Sequence, residues 1–137
     1  MTTKIEECRV IELPKFTDVR GSLTPIESER NIPFAVKCVF YLYGVPAGEN
    51  RAGHAHQELH EFLIAVSGSF DYLINDGQNT KHFHLNRPSQ GVYIPPMIWG
   101  ELKNFSSGAV CLVLASAYYD ESKYYRTYER YLTAVRS

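Results

Sequence analysis

The sequence lacks a disulfide framework, an excess of charge and any long hydrophobic run. Its three cysteines, Cys8, Cys38 and Cys111, are widely spaced and odd in number, and no CxxC pair occurs. This pattern favours free thiols in a reducing compartment. The net charge is only −1, which argues against nucleic acid as the main partner and leaves anionic small molecules open. No segment has the length of a membrane span or the form of a signal peptide, so we expect a cytoplasmic protein.

Short stretches of β-branched and aromatic residues, separated by turn residues, run through most of the chain. Asn75-Asp76-Gly77 follows one of them and predicts a hairpin, because these residues tolerate positive φ. Strands spaced by roughly 8–12 residues indicate an all-β sandwich or barrel. The chain length suits one domain over residues 1–137. The predicted strands are Val10–Pro14, Ser22–Ile26, Ala35–Tyr43, Phe62–Val66, Phe70–Ile74, Val92–Ile94 and Val110–Ala115.

The C-terminal segment has a different periodicity. Asp120 is a candidate N-cap, and neither glycine nor proline interrupts the residues that follow it. We therefore predict one amphipathic α-helix that packs on the barrel. Its apolar face would consist of Tyr124, Tyr128, Tyr131, Leu132 and Val135.

Two histidines separated by one residue lie in the segment GENRAGHAHQELHEFLIAVSG. Alternate residues of a strand point to one face, so His54 and His56 are predicted to project together. Glu61 joins them only if the chain turns between Gln57 and His60 and returns as the next strand. A metal site, a metal-free acid–base pair and the mere end of a strand all fit this local pattern.

The spacing in this segment resembles the first signature of the cupin superfamily, whose members are jelly-roll barrels. That signature reads Gly, five residues, His-x-His, four residues, Glu, six residues, Gly. It is matched in full by Gly48, His54, His56, Glu61 and Gly68.

The second cupin signature, Pro-x-Gly-x-x-His-x-x-x-Asn, is matched only at its ends. Pro95 and Asn104 are present, but Met97 replaces the glycine and Gly100 replaces the histidine. That histidine normally completes a four-ligand metal site. Two histidines and a glutamate can still hold a metal, as three-ligand catalytic sites do.

Further segments resemble the small cupin-fold sugar-nucleotide 3,4-ketoisomerases, the WxcM-like family, over roughly residues 8–130. They are RGSL (20–23), NIPFAVKCVFYLYGVP (31–46), RAGHAHQELHEFLIAVSGSF (51–70), LNRPSQGVYIPPMIW (85–99) and NFSSGAVCLVLASAYYDESKYYRTY (104–128). The resemblance implies a cupin jelly roll with a C-terminal α-helix. It also implies isomerase activity on dTDP-4-keto-6-deoxy-D-glucose, giving a dTDP-3-keto-6-deoxyhexose for 3-amino-3,6-dideoxy sugars, as in lipopolysaccharide O-antigen.

Moving a carbonyl from C4 to C3 through an enediol requires only proton transfers, so no redox cofactor is expected. The resemblance also implies that no metal is needed, because members of the family work without one. Histidine suits such transfer because its pKa is near neutral. By resemblance, His54 and His56 carry acid–base roles, with His54 the favoured shuttle. Tyr41 matches a tyrosine of the family's active site, unless it is only a wall aromatic. Tyr43 shares its face and takes its place if the register differs.

The nucleotide half of the substrate needs cationic partners. Arg51, three residues before His54, can reach the pyrophosphate, and its planar guanidinium suits phosphate oxygens. Arg126 matches a family arginine that contacts the nucleotide. Arg20 is a third candidate, although an arginine that stabilises a turn fits equally well. Trp99 can stack on a base or serve a structural role.

The sequence departs from the family pattern in two places. His60 and Glu61 stand where Gln-type residues are expected, and Glu61 either pairs with a protonated histidine and raises the pKa of that histidine or restores a metal ligand. Gly100 replaces a larger side chain, often histidine or arginine, and so leaves a contact empty. Substrate fit and the configuration of the product at C4 are therefore open.

Three hypotheses follow. The first is the isomerase; the second is a metal-dependent cupin enzyme that uses His54, His56 and Glu61; the third is a non-catalytic sugar-nucleotide-binding domain. A related 3,5-epimerase is not favoured, because its His–Asp dyad is not evident. The apolar N-terminal strand and tyrosine-rich C-terminus predict a homodimer with exchanged N-terminal strands, as the family forms.

Overall fold

Two five-stranded antiparallel sheets pack face to face in a computed structural model that describes residues 5–136, apart from the side chain of Ala52. Residues 1–4 and Ser137, which the predicted domain includes, lie outside the described part. The strands are β1 (Arg9–Glu12), β2 (Phe16–Asp18), β3 (Gly21–Leu23), β4 (Cys38–Leu42), β5 (Arg51–His56), β6 (Glu61–Ser67), β7 (Phe70–Asn75), β8 (Thr80–Leu85), β9 (Gln90–Ile94), β10 (Trp99–Lys103), β11 (Val110–Ala115) and β12 (Tyr124–Tyr125), and the α-helix α1 is Tyr128–Arg136.

The strand order shows how the site is assembled. One sheet has the order β1-β9-β6-β11-β4, the other has the order β12-β5-β10-β7-β8, and β2 and β3 form a separate hairpin. Strands distant in sequence are therefore neighbours in each sheet. This arrangement confirms the predicted all-β jelly-roll barrel with a C-terminal helix.

The core lies between the two sheets and follows from side-chain alternation. In β7, Phe70, Tyr72 and Ile74 are buried while Leu73 is exposed. The five residues from Glu61 to Ala65 in β6 are all buried. A second apolar layer explains this, because Leu13, Ile32 and Phe34 pack on the outer face of the sheet against Phe62 and Ile64. Burial on both faces makes β6 a rigid support for Glu61.

The predicted hairpin at residues 75–77 is confirmed between β7 and β8. Gly77 has a φ of 97°, a conformation that favours glycine. The Asp76 carboxylate accepts hydrogen bonds from the backbone amides of Gln78 (3.0 Å), Asn79 (2.8 Å) and Ile5 (2.9 Å). These bonds hold the pKa of Asp76 below its ordinary value although burial acts to raise it. The turn therefore also anchors the start of the described chain.

The C-terminal prediction was only partly correct, because the helix begins at Tyr128. Asp120 caps a short 3₁₀ helix, Glu121–Lys123, and Tyr124 lies in β12. Pairing with β5 gives Tyr124 a strand conformation that its helical spacing did not predict. Tyr131 is fully buried under the barrel, and its hydroxyl lies 2.9 Å from the Met97 carbonyl oxygen.

Several strands were missed or misplaced by the sequence prediction. A strand was expected at residues 22–26, but the structure forms the β2–β3 hairpin instead. The strands β8 and β10 were not predicted, because their polar residues interrupt the β-branched pattern. Among residues 5–136, no helix has the length and apolar character required to cross a membrane.

Candidate active site

Strands β5 and β6 bring two imidazoles and a carboxylate together. The ring centroids of His54 and His56 lie 4.9 Å apart, and His56 Nε2 lies 3.1 Å from Glu61 Oε2. One donor atom from each residue falls within 4.8 Å of the other two. Alternation along β5 aligns the histidines, and the predicted turn after Gln57 returns Glu61 to them.

Glu61 supplies the negative charge of this cluster. Burial acts to raise its pKa, but the attraction of His56 and of the nearby His54 lowers that pKa below its ordinary value. Glu61 is therefore an ionised acceptor beside His56. His56 is only 5% exposed, and within the described residues neither of its ring nitrogens forms a hydrogen bond of good geometry, although Nε2 lies 3.1 Å from Glu61. The carboxylate fixes the orientation of the His56 ring.

The cluster borders a cavity of about 420 Å³. His54 and Glu61 line this cavity, whereas His56 lines an adjoining one of about 350 Å³. The two histidines thus face different cavities, and His54 faces the larger of these two. The lining residues of the larger cavity are Phe40, Leu42, Asn50, Arg51, His54, Glu61, Leu63, Tyr72, Gly100, Leu102, Val113, Tyr119, Tyr124 and Arg126.

Tyr124 packs directly on both histidines. Its ring stacks on His54 with centroids 5.5 Å apart and meets His56 edge-on at 4.2 Å. The pairing of Tyr124 with His56 in the sheet places it there. Burial raises the pKa of Tyr124, followed by the charge of Glu61, so its phenol stays protonated. The tyrosine-rich C-terminal segment was a signal for this contact, but it was interpreted as helix.

Two arginines line the same cavity. Arg51 begins β5, and Arg126 follows β12. The Arg126 guanidinium lies 4.4 Å from the Tyr124 ring centroid, and its Nη2 donates to both Glu121 carboxylate oxygens at 2.5 and 2.6 Å. The cavity thus combines a proton-handling cluster with cationic side chains that suit an anionic ligand.

Comparisons with known proteins agree with this geometry. The family model FdtA, described as WxcM-like, C-terminal, matches residues 6–136. The chain belongs to this family. A TDP-4-oxo-6-deoxy-alpha-D-glucose-3,4-oxoisomerase of Aneurinibacillus thermoaerophilus is 41% identical over 125 residues, which are 91% of this chain and 90% of that protein.

Two solved ketoisomerases also resemble the chain throughout. The WlaRB TDP-quinovose 3,4-ketoisomerase from Campylobacter jejuni has 43% identity and a TM-score of 0.90, covering 94% of this chain and 99% of that one. A histidine-to-asparagine mutant of the QdtA 3,4-ketoisomerase from Thermoanaerobacterium thermosaccharolyticum is in complex with TDP-4-keto-6-deoxyglucose. It has 38% identity and a TM-score of 0.93, covering 97% of this chain and 96% of that one.

Family resemblance placed Tyr41 and Tyr43 in the site, and the structure places both elsewhere. Along β4 the side chains of Phe40 and Leu42 face the cavity. Tyr41 and Tyr43 point outward, where they are 57% and 70% exposed. In the single chain these two tyrosines therefore lie outside the cavity, because their neighbours Phe40 and Leu42 occupy the inner face of β4. Their roles in the reaction stay predictions.

Arg20 and Trp99 also lie away from the cavity. Arg20 pairs with Asp18 at 2.6 Å in the exposed β2–β3 hairpin, consistent with the turn-stabilising alternative. Trp99 packs against Tyr131 beneath α1, and its Nε1 donates to Glu101 at 3.2 Å. Residues 99 and 101 project from the outer face of β10, whereas Gly100 faces inward. This alternation places Trp99 outside the cavity and agrees with the structural alternative.

The space next to Gly100 is not empty, contrary to the sequence expectation. Tyr72 fills it: a Cβ built on Gly100 would lie only 2.6 Å from Tyr72 Cζ. Tyr72 is 3% exposed and lines the cavity. Its inward position follows from alternation with Phe70 and Ile74 in a strand that the sequence predicted, although no site role was predicted for Tyr72.

Proposed function

We propose that this protein is a sugar-nucleotide 3,4-ketoisomerase that converts dTDP-4-keto-6-deoxy-D-glucose into a dTDP-3-keto-6-deoxyhexose. The observation that carries the proposal is the His54–His56–Glu61 cluster at a cavity that two arginines also line. The named activities of relatives with 41% and 43% identity support the same reaction class.

The reaction moves protons and leaves the overall oxidation state of the sugar unchanged. His54 removes the proton from C3, the electron pair forms the C3–C4 double bond of an enediol, and the C4 carbonyl oxygen takes a proton from His56. His54 then returns its proton to C4 while O3 gives its proton to His56, which restores both histidines and gives the 3-keto product. Histidine suits both steps because its ordinary pKa is near neutral.

His56 and Glu61 support His54 in this scheme. Glu61 orients the His56 ring through the 3.1 Å contact, and the Tyr124 ring holds both imidazoles in place by stacking on His54 and meeting His56 edge-on. His56 can exchange protons with His54 or with a sugar hydroxyl, because its ring lies beside His54. No redox cofactor is needed for these steps.

The arginines provide nucleotide binding in the proposal. Arg51 and Arg126 line the cavity that contains the histidines, so the pyrophosphate can bind at its edge while the keto sugar reaches His54. Arg126 is held by Glu121, and a phosphate would compete for the same donors. Tyr119, another residue of the cavity wall, also donates to Glu121.

Isotope exchange tests the proposal directly. Purified protein is incubated with dTDP-4-keto-6-deoxyglucose in deuterated buffer and followed by NMR. We expect deuterium at C3 and C4 and the appearance of a 3-keto product. Absence of both, with dTDP binding retained, would instead favour a non-catalytic sugar-nucleotide-binding domain.

A metal-dependent cupin enzyme is the second candidate, favoured by the compact donor set of His54, His56 and Glu61. Two imidazoles and a carboxylate fit a three-ligand catalytic site, in which a metal would polarise the substrate carbonyl. Elemental analysis of protein purified without added metal separates the two candidates. Full activity at a metal content far below one ion per chain would exclude the metal-dependent enzyme.

We also propose a homodimer with exchanged N-terminal strands. Phe16, Val19 and Leu23 of the β2–β3 hairpin are exposed apolar residues, which a partner chain would cover. In the single chain β1 pairs with β9, and exchange would replace this pairing with that of the partner. Sedimentation equilibrium that finds a monomer at micromolar concentration would contradict the proposal.

We propose that residues 1–137 form a single cupin domain located in the cytoplasm. The 3-keto product is the expected substrate of an aminotransferase that forms 3-amino-3,6-dideoxy sugars for lipopolysaccharide O-antigen. The NMR experiment above also gives the configuration of the product at C4.

A further inference from the structure

Tyr72 is a buried polar side chain for which the fold alone gives no role. It lies on the inner face of β7 and lines the cavity together with His54 and Glu61. Its side chain is 3% exposed, and it belongs to the wall of the space that a substrate would enter. Its hydroxyl can therefore contact a ligand in the cavity.

The sheet register places Tyr72 two strands from the histidines on the same sheet. Strand β10 lies between β5 and β7: Gly100 pairs with His54 on one side and with Ile74 on the other, and Tyr72 pairs with Leu102. The Tyr72 ring leans over Gly100, because a side chain there would overlap its Cε1 and Cζ atoms at 2.5 and 2.6 Å. The missing side chain of Gly100 thus creates the space through which the phenol reaches the cavity.

We propose that the Tyr72 hydroxyl donates a hydrogen bond to the sugar oxygen that becomes negative during isomerisation, and that Gly100 admits the ring for this purpose. The inference rests on the proposed function. As His54 takes the carbon-bound proton, the C–H electron pair forms the C3–C4 double bond and the π pair of the carbonyl moves onto its oxygen. Tyr72 stabilises the resulting enediolate without giving up its own proton.

The protonation state of Tyr72 agrees with a donor role. Burial, and then the negative charge of Glu61, raises its pKa well above the ordinary value. The phenol therefore stays protonated at neutral pH and is a poor base. Donors held in place in a water-poor site stabilise developing negative charge strongly, and removing one costs about 10²–10³-fold in rate.

The variant Tyr72→Phe removes only the hydroxyl and keeps the ring over Gly100. We expect kcat to fall at least tenfold, with KM and dTDP affinity within about threefold of wild type. Tyr93→Phe is the matched control, because it removes another largely buried hydroxyl, which contacts His60 Nδ1 at 2.7 Å outside the cavity. It should leave kcat unchanged. Wild-type kcat in Tyr72→Phe would overturn the inference.

A double-mutant cycle tests the role of Gly100. Gly100→Ala displaces the ring and should lower kcat in the wild-type background, but much less once Tyr72 is phenylalanine, because the hydroxyl is already gone. Equal losses in both backgrounds would overturn the coupling. If the wild-type protein itself does not isomerise the substrate, the proposed function fails together with this inference. If it does, and Tyr72→Phe matches it, only this inference fails.

Discussion

The inner and outer faces of the same barrel strands differ in what they do. Gly100 and Tyr72 face inward around the cavity, and their neighbours in β10 and β7 face outward. Trp99, one residue before Gly100, instead packs against the C-terminal helix. Adjacent residues of one strand therefore have different roles: the inward side chain lines the cavity, and the outward one stabilises the fold. The face on which a residue lies, more than its type, determines its function here.

Replacing the inner-face base should have the largest effect. His54→Asn keeps a polar side chain of similar size but removes the proton acceptor, so we expect kcat to fall by about 10²–10⁴-fold with little change in melting temperature. The measurement is the initial rate of 3-keto product formation by NMR. His82→Asn on β8, an exposed histidine 3.4 Å from Asp71, should retain wild-type turnover. A His54 variant within tenfold of wild type would remove His54 from proton transfer.

Removing a cavity arginine should have the next largest effect, on binding more than on rate. Arg126→Met keeps the stem but loses the guanidinium, and a charge-assisted hydrogen bond contributes about 1.5–3 kcal/mol. The Kd for dTDP should therefore rise about 10- to 100-fold, measured by calorimetry. Arg130→Met on α1 is the matched control and should bind normally. Unchanged affinity in Arg126→Met would place the pyrophosphate elsewhere.

Local patterns in the sequence predicted the histidine cluster, and long-range pairing limited the rest. The alternation of His54 and His56 and the turn to Glu61 need only nearby residues, so they could be predicted. Tyr124 joins the site by pairing with β5, and its own segment gives no sign of that partner. The burial gained by this strand pairing outweighs the helical periodicity of the segment.

The face of β4 could not be assigned from the sequence for a different reason. Residues 38–43 are all apolar or aromatic, so either face could be the inner one, and Tyr41 was assigned to the wrong side. At Gly100 the difficulty lay in a neighbouring strand and not in the choice of face. Its missing side chain predicted an empty contact, whereas Tyr72 on the neighbouring strand fills it.

On the outer face, a change should reduce stability and leave chemistry intact. Trp99→Phe loses the Nε1 hydrogen bond to Glu101 and part of the ring that fits against Gly53, where a Cβ would lie 2.7 Å from Trp99 Cε2. We expect the free energy of unfolding to fall by about 1–3 kcal/mol in urea titrations. Turnover should stay within threefold of wild type, and a larger loss would show that the two faces are coupled.

The smallest effect is expected at Tyr41, one residue from the cavity-lining Phe40. Tyr41→Phe removes a solvent-exposed hydroxyl from the outer face of β4, so kcat/KM should change less than twofold and stability by less than about 0.5 kcal/mol. Phe40→Leu is the matched inner-face change and should lower kcat/KM several-fold, since Phe40 lines both cavities. The same turnover assay on both variants decides the matter. A large loss in Tyr41→Phe with none in Phe40→Leu would reverse the assignment of faces on β4, and would require Tyr41 to reach a substrate either in its own chain or in a partner.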